Sequence, residues 1–212
     1  MIVKICGITR PEDAAMAIRA GADWLGLNFW PTSKRYLTLA QASDVVHAAR
    51  RERPDVLLVG VFVDQPIGEV TGVLSALELD RAQLHGDEPP DYVKKLGDRA
   101  IKALAMTDSA QLDAMAEYEC PVVLVDTPSP GRGGSGIVGD WSVAQAAAAE
   151  RHVILAGGLA PDNIGEAIAH VQPWGVDVAS GVESAPGVKD PELVARFVAE
   201  ARAAAARLER VR

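Results

Sequence analysis

Val56-Leu57-Leu58-Val59-Gly60-Val61-Phe62-Val63 is apolar at every position except its glycine. A half-exposed strand alternates apolar with polar residues, so a run without alternation reads as a strand covered on both faces. That is the environment of a parallel sheet, in which each strand is followed by a long crossover, usually a helix. The flanking chain supplies such crossovers, because residues 39–53 and 67–77 carry helical apolar spacing.

The same alternation runs to both ends of the chain. It predicts strands over 2–6, 24–29, 56–63, 81–85, 100–104, 121–126, 152–156 and 175–179. Between them it predicts helices over 11–20, 39–53, 67–77, 92–96, 110–118, 143–150, 161–170 and 191–208. Eight βα pairs at roughly 26-residue spacing match a (β/α)8 barrel near its minimum size. The expectation is an α/β protein, a single-domain (β/α)8 TIM barrel over residues 1–212. The alternative, an open doubly wound sheet, would be supported by Gly-x-Gly-x-x-Gly after the first strand. Cys6-Gly7-Ile8-Thr9 stands there instead. The Ala- and Arg-rich stretch 199–212 reads as an exposed, frayed helix end.

Composition narrows the function classes. The net charge of −8, without Lys and Arg clusters interleaved with aromatics, argues against nucleic acid as a partner. No apolar stretch reaches the ~18 residues of a membrane span. Cys6 and Cys120 make no disulfide framework and share no metal-ligand spacing with the four histidines. Met1 leads straight into a strand pattern, so the expected setting is the reducing cytoplasm.

In a barrel of this kind, function sits at the C-terminal ends of the strands. Cys6 ends the first strand, where a thiol is either small buried packing or a base facing a cleft, its pKa lowered by the loop. Asp126 ends Val122-Val123-Leu124-Val125. It is either a turn cap or a partly desolvated carboxyl whose raised pKa suits proton donation. Lys102, on the fifth strand, is placed among these strand-end residues. Arg35, after the second, is either a solvated charge or a bidentate grip for a carboxylate. Gln83 and His85 would line the mouth, although a histidine there also serves structure alone. Gly157-Gly158 and Ser180-Gly181 follow the seventh and eighth strands. Backbone N–H groups in these two loops are the usual phosphate site of a barrel. Gly133, Gly134, Ser135 and Gly136 read as a mobile loop that closes over a ligand.

Seven segments occur in an informative order: Lys4-Ile5-Cys6-Gly7-Ile8-Thr9, Ser33-Lys34-Arg35-Tyr36, Gln83-Leu84-His85-Gly86-Asp87-Glu88, Leu124-Val125-Asp126, Gly133-Gly134-Ser135-Gly136, Ala156-Gly157-Gly158-Leu159 and Val176-Asp177-Val178-Ala179-Ser180-Gly181-Val182-Glu183. Together they closely resemble the phosphoribosylanthranilate isomerase family of tryptophan biosynthesis. The chain departs from the family pattern at Lys34, where proline is frequent, and at Ile137-Val138-Gly139, where Lys-Thr-Phe is frequent.

The resemblance implies an Amadori rearrangement of an N-linked phosphoribosyl amine, with Cys6 as general base and Asp126 as general acid. It implies that Arg35 holds the anthranilate carboxylate and that Gln83, His85 and Asp177 contact substrate. It implies no cofactor and no metal, a small-molecule phosphosugar substrate, and a monomer or homodimer. A related bifunctional isomerase carries aspartate where Cys6 stands. Indole-glycerol-phosphate synthase relies on lysine and glutamate, and ribulose-phosphate epimerases on metal-binding histidines. A non-catalytic phosphosugar-binding barrel would keep the glycine loops without needing both Cys6 and Asp126.

Overall fold

Successive side chains of a strand point to opposite faces, and that alternation sorts the apolar runs of this chain into two cores. The computed structural model describes residues 1–106, 110–126 and 141–211. Eight parallel strands close into a barrel in chain order. They are β1 (Ile2–Ile5), β2 (Trp24–Asn28), β3 (Leu57–Phe62), β4 (Arg81–Leu84), β5 (Ala100–Ala105), β6 (Val122–Asp126), β7 (Val153–Ala156) and β8 (Gly175–Val178). The helices between and after them are α1 (Pro11–Arg19), α2 (Leu39–Glu52), α3 (Ile67–Ala76), α4 (Pro90–Leu96), α5 (Ala110–Ala116), α6 (Ser142–Glu150), α7 (Ile164–Val171) and α8 (Pro191–Val211). β8 pairs back onto β1, with Lys4 opposite Asp177 and Ile5 opposite Val178. The expected (β/α)8 barrel is the fold of the chain.

β3 shows the sorting directly. Leu58 and Phe62 join Val3, Ile5, Leu25 and Val123 under the helices. Val59 points the other way, into an interior filled by Trp24, Ile101, Val122, Leu124 and Ile154. Near the N-terminal ends of the strands, Trp24 meets Trp174 edge-on at 5.6 Å, and the Arg81 guanidinium lies 5.5 Å from the Trp24 ring centre. Above this apolar floor the interior changes character. Lys4, Gln83 and Asp177 are buried there, where barrels ordinarily place branched aliphatics.

Most element ends fall within one or two residues of expectation, but α7 starts at Ile164, three residues late. Asn163 is the cause. Its Oδ1 accepts from Ala160 N at 2.8 Å and its Nδ2 donates to the Gly158 carbonyl at 2.9 Å. Those side-chain bonds hold the segment as a turn in competition with the helix. The C-terminal stretch is a helix end with Ala199, Glu200, Ala203, Arg207, Glu209 and Arg210 exposed, as expected, but it is not exposed throughout. α8 runs to Val211, with Ala201 and Ala204 buried. Arg202 ties it to the Gly21 carbonyl at 3.0 Å and to Asp23 at 2.7 Å. Small alanines allow the close approach, and the arginine stem adds cover.

Sequence periodicity also missed a hairpin. β9 (Glu183–Ala185) and β10 (Val188–Lys189) pair antiparallel after β8. Gly187 turns the chain with φ +81°, and Thr9 Oγ1 donates to its carbonyl. The hairpin is too short for a period-2 signal, yet it carries Glu183 and Lys189 to the barrel mouth. At the same mouth, Thr38 caps α2. Its Oγ1 accepts from Gln41 N at 3.3 Å, and Gln41 Oε1 accepts from Thr38 N at 3.0 Å. Such a reciprocal cap contributes about 1 kcal/mol and fixes where the loop bearing Arg35 ends. Gly133, Gly134, Ser135 and Gly136 lie outside the described residues, as do Arg132 and Ile137-Val138-Gly139.

Candidate active site

At the C-terminal ends of the strands a cavity of about 280 Å³ opens. Cys6, Arg35, Gln83, His85, Asp126, Gly157, Gly158, Asp177 and Ser180 all line it. The candidate residues, drawn from six separate stretches of chain, are thus brought together. A somewhat larger cavity, about 340 Å³, lies at the other end of the barrel between Met1, Arg151, His152, Trp174 and Leu208. Its arginine already donates to the carbonyls of Met115 and Tyr118, at 3.0 and 2.8 Å. The convergent acid–base groups are in the first cavity, which makes it the candidate active site.

Cys6 stands one residue past β1, its N–H donating to the Val178 carbonyl at 2.8 Å. The side chain is buried beside Lys4, whose ammonium donates to Asp177 Oδ1 at 2.9 Å. Opposite them Gly26 carries no side chain. A Cβ there would lie 2.7 Å from Cys6 Sγ and 3.1 Å from Lys4 Nζ, so the thiol and the ammonium share the space that glycine leaves. The expected lowering of the thiol pKa is corrected. Burial pushes the thiol up, Lys4 pulls it down, Asp177 pushes it up and Lys189 pulls it down, and the balance stays above the ordinary thiol value. For Lys4, burial disfavours the charge, but Asp177 and the Cys6 thiol hold its pKa above the ordinary lysine value.

Across the mouth, Asp126 ends β6 with its Oδ2 3.5 Å from His85 Nε2. The preceding apolar run suggested a desolvated carboxyl, yet the Asp126 side chain is 39% exposed. The run packs the strand, while the last residue projects into open space. Behind His85, Gln83 Nε2 lies 3.2 Å from Nδ1. An amide nitrogen can only donate, so Nδ1 accepts and the neutral ring carries its proton on Nε2, toward Asp126. Gln83 Oε1 is buried without a hydrogen-bond partner among the described residues.

Arg35 reaches the cavity, but its fork is engaged. Nε and Nη2 donate to Glu183 Oε1 and Oε2 at 2.7 and 2.5 Å. Gly7, with φ +71°, makes room for it, since any side chain there would strike the Arg35 Cδ. Lys189 Nζ donates to Glu183 Oε1 at 2.8 Å and to the Ala179 carbonyl at 3.0 Å. Burial pushes the Glu183 carboxyl up, but Arg35 and Lys189 outweigh it and hold its pKa below the usual carboxylate value. Burial also pulls Lys189 below the ordinary lysine value, only partly offset by Glu183.

The glycine loops meet backbone to backbone. Gly157 and Gly158 adopt φ +94° and +60°, a region open chiefly to glycine. A Cβ on Gly181 would collide with the Leu159 carbonyl. Gly181 is therefore required for the loops after β7 and β8 to adjoin, although it does not itself line the cavity.

Sequence reasoning missed Lys4, Glu183 and Lys189 as functional neighbours. A lysine inside the apolar run of β1 was a legible signal; Glu183 and Lys189 depend on the hairpin and left none. Lys102, expected at the mouth, is corrected. It is absent from the cavity lining and lies buried on the barrel exterior, 5.7 Å from the Tyr118 ring centre. There it donates to Glu88 Oε2 at 2.8 Å and to the Gly86 carbonyl at 2.5 Å. Glu88 in turn accepts from Gly86 N at 3.0 Å and Asp64 N at 3.0 Å, which pins the loop that carries His85.

The site groups, among the described residues, include no set of three or more His, Cys, Asp or Glu side chains placed to hold a metal ion. Comparison with known proteins agrees with the constellation. N-(5'-phosphoribosyl)anthranilate isomerase of Geotalea uraniireducens is 46% identical over 201 residues, covering 94% of this chain and 98% of the relative. The crystal structure of phosphoribosyl anthranilate isomerase from Thermotoga maritima superposes with a TM-score of 0.87 at 39% identity, covering 96% of this chain and all of that one. A structure of the isomerase in complex with reduced 1-(o-carboxyphenylamino)-1-deoxyribulose 5-phosphate superposes at 0.84 with 35% identity, covering 96% and 100%. The family model for N-(5'phosphoribosyl)anthranilate isomerase matches residues 3–200, and the chain belongs to that family.

Proposed function

We propose that this chain converts N-(5'-phosphoribosyl)anthranilate into 1-(2-carboxyphenylamino)-1-deoxyribulose 5-phosphate. The observation that carries this reading is the convergence of the Cys6 thiol, the Asp126 carboxyl and two adjoining glycine loops on a single cavity. In barrel order β6, β7, β8 and β1 are consecutive. The Gly157-Gly158 and Ser180-Gly181 loops therefore lie between Asp126 and Cys6. A 5-phosphate held by backbone N–H groups of those loops leaves the sugar's reacting end between acid and base.

Asp126 acts first in this reading, protonating the furanose ring oxygen so that the C1–O bond breaks and a C1=N iminium forms. The Cys6 thiolate then removes the C2 proton, giving an enolamine. Proton return to C1 and loss of the C2 hydroxyl proton leave the ketone. Atoms and charge balance within one molecule, and each positioned proton transfer contributes about 10²–10⁴-fold. Substrate carboxylate would meet Arg35 at the rim, with Gln83, His85 and Asp177 lining the cavity between. The phosphosugar bound in the structural neighbour supports this choice of substrate class. No described helix is long and apolar enough to cross a membrane. The two free thiols, Cys6 and Cys120, support a reducing cytoplasmic setting.

Turnover of phosphoribosylanthranilate, followed by its fluorescence, tests the proposal with Cys6→Ser beside wild type. Conversion by wild type and loss of at least about 10²-fold in the variant are expected. No conversion by folded wild-type protein rejects the substrate, and equal rates reject Cys6 as base.

A further inference from the structure

Three lysines are wholly buried in this barrel: Lys4, Lys102 and Lys189. An ammonium carries three protons, and a buried one is tolerated when oxygen acceptors take them. Lys102 has Glu88 and the Leu84 and Gly86 carbonyls. Lys189 has Glu183 and the Ala179 carbonyl. Lys4 differs, since the one oxygen that accepts from it is on Asp177, and its other neighbour is the Cys6 sulfur, which shares with it the space beside Gly26. A neutral thiol is a weak acceptor, whereas a thiolate is a strong one. The pair also does not explain itself as a stabilising device, because a buried ion pair is frequently no better than aliphatics of the same volume.

We infer that Lys4 is a positioning residue for the reaction, holding the deprotonated sulfur of Cys6 in the space beside Gly26, with Asp177 as the carboxylate that keeps Lys4 charged. The inference rests on the reading of Cys6 as base. Its geometry is independent of that reading: Lys4 and Cys6 are on the same inward face of β1 and its extension, two residues apart. Asp177 is Lys4's register partner on β8.

The electrostatics carry a sign that mere packing would not. The charged groups around the sulfur are Lys4 beneath it, Asp177 on β8, Lys189 on β10 and Arg35 from the loop after β2. Glu183 neutralises part of the last two. Asp126 and His85 line the same cavity from β6 and the end of β4. Ionising Cys6 takes the Lys4–Asp177–thiol group from neutral to one net negative charge. Without Lys4 the same step creates a second negative charge. Without the Asp177 carboxylate it leaves a neutral thiolate–ammonium pair.

The test is the pH dependence of Cys6 alkylation by iodoacetamide, read at the Cys6 peptide by mass spectrometry, which needs no substrate. Lys4→Met should displace the reactivity curve to higher pH and Asp177→Asn to lower pH. An opposite charge at such range is worth on the order of tenfold or more in the ionised fraction, so at fixed pH the Lys4→Met rate should fall by about that factor. The rising limb of kcat/KM should move with it. Should Lys4→Met fail to fold, the charge-balanced double variant Lys4→Met with Asp177→Asn is expected to lie above wild type as well. A variant lacking Lys4 that alkylates with the wild-type profile overturns the inference, as do Lys4→Met and Asp177→Asn curves displaced in the same direction. Full turnover by Cys6→Ser would instead reject the base assignment, with the alkylation curves still reporting on Lys4.

Discussion

Arg35 and Glu183, 148 positions apart, face each other through two parallel hydrogen bonds of 2.7 and 2.5 Å. The carboxylate of Glu183 thus occupies the guanidinium edge that would otherwise be free for a substrate carboxylate. It also orients Arg35 over Gly7 toward the cavity. An incoming anthranilate carboxylate would find Arg35 held in place rather than swinging in solvent.

Arg35→Lys should therefore raise KM by about tenfold or more with little change in kcat. A lysine is a point charge that cannot bond Glu183 and substrate in one plane, and a hydrogen bond to a charged group is worth roughly 1.5–3 kcal/mol. Steady-state kinetics decide it. Unchanged KM in the lysine variant removes Arg35 from substrate binding.

Cys6→Ser and Asp126→Asn should each lower kcat/KM by about 10²-fold or more while leaving the fold and the binding of a reduced product analogue intact. Because burial keeps the thiol above its ordinary pKa, the wild-type kcat/KM should climb with pH past neutrality. A profile flat from pH 6 to 9 contradicts a thiolate base in this setting.

Glu183 also makes stability depend on pH. Its folded pKa is lowered by Arg35 and Lys189 against the effect of burial. The stabilisation is accordingly full above the unfolded carboxylate value and is lost as pH falls through the lower folded one. Urea denaturation at stepped acidic pH should show this loss. Glu183→Gln should be less stable than wild type near neutrality and should lose less on acidification. A variant with an unaltered acid slope refutes the assignment.

Gly181→Ala should destabilise the fold by about 1–3 kcal/mol, because the added methyl meets the Leu159 carbonyl. It should raise KM as well, since the loops after β7 and β8 must separate. Chemical denaturation and kinetics on the same preparation test both. Wild-type KM in this variant would detach those loops from phosphate binding.

Gly26→Ala tests the space shared by the thiol and the ammonium. The methyl would lie 2.7 Å from Cys6 Sγ, so kcat should fall by about tenfold or more with little change in KM, as misplacement of a reacting group produces. Wild-type kcat would show that the sulfur needs no such room.

The succession of strands and helices was legible in the sequence because the periods that mark it, 2 and 3.6, are local properties of consecutive residues. Once eight such units are in place, closure follows from covering both faces of every strand, and closure puts the strand ends together. That is why Cys6, Asp126, His85 and the two glycine loops could be named from their positions alone. Partners fixed across the barrel were not legible. Lys4 and Asp177 are 173 positions apart and Arg35 and Glu183 148, and nothing in a local pattern tells a lysine which carboxylate it will meet. The side of the strand mattered equally: Lys102, one step out of phase with the interior, became a structural cation rather than a cavity residue. Sequence alone thus determined the barrel and which residues stand at the ends of its strands, since those rest on period and order. Tertiary structure decided the ion-pair partners and the burial that pushes the Cys6 thiol up, because charge and desolvation act through space and not along the chain.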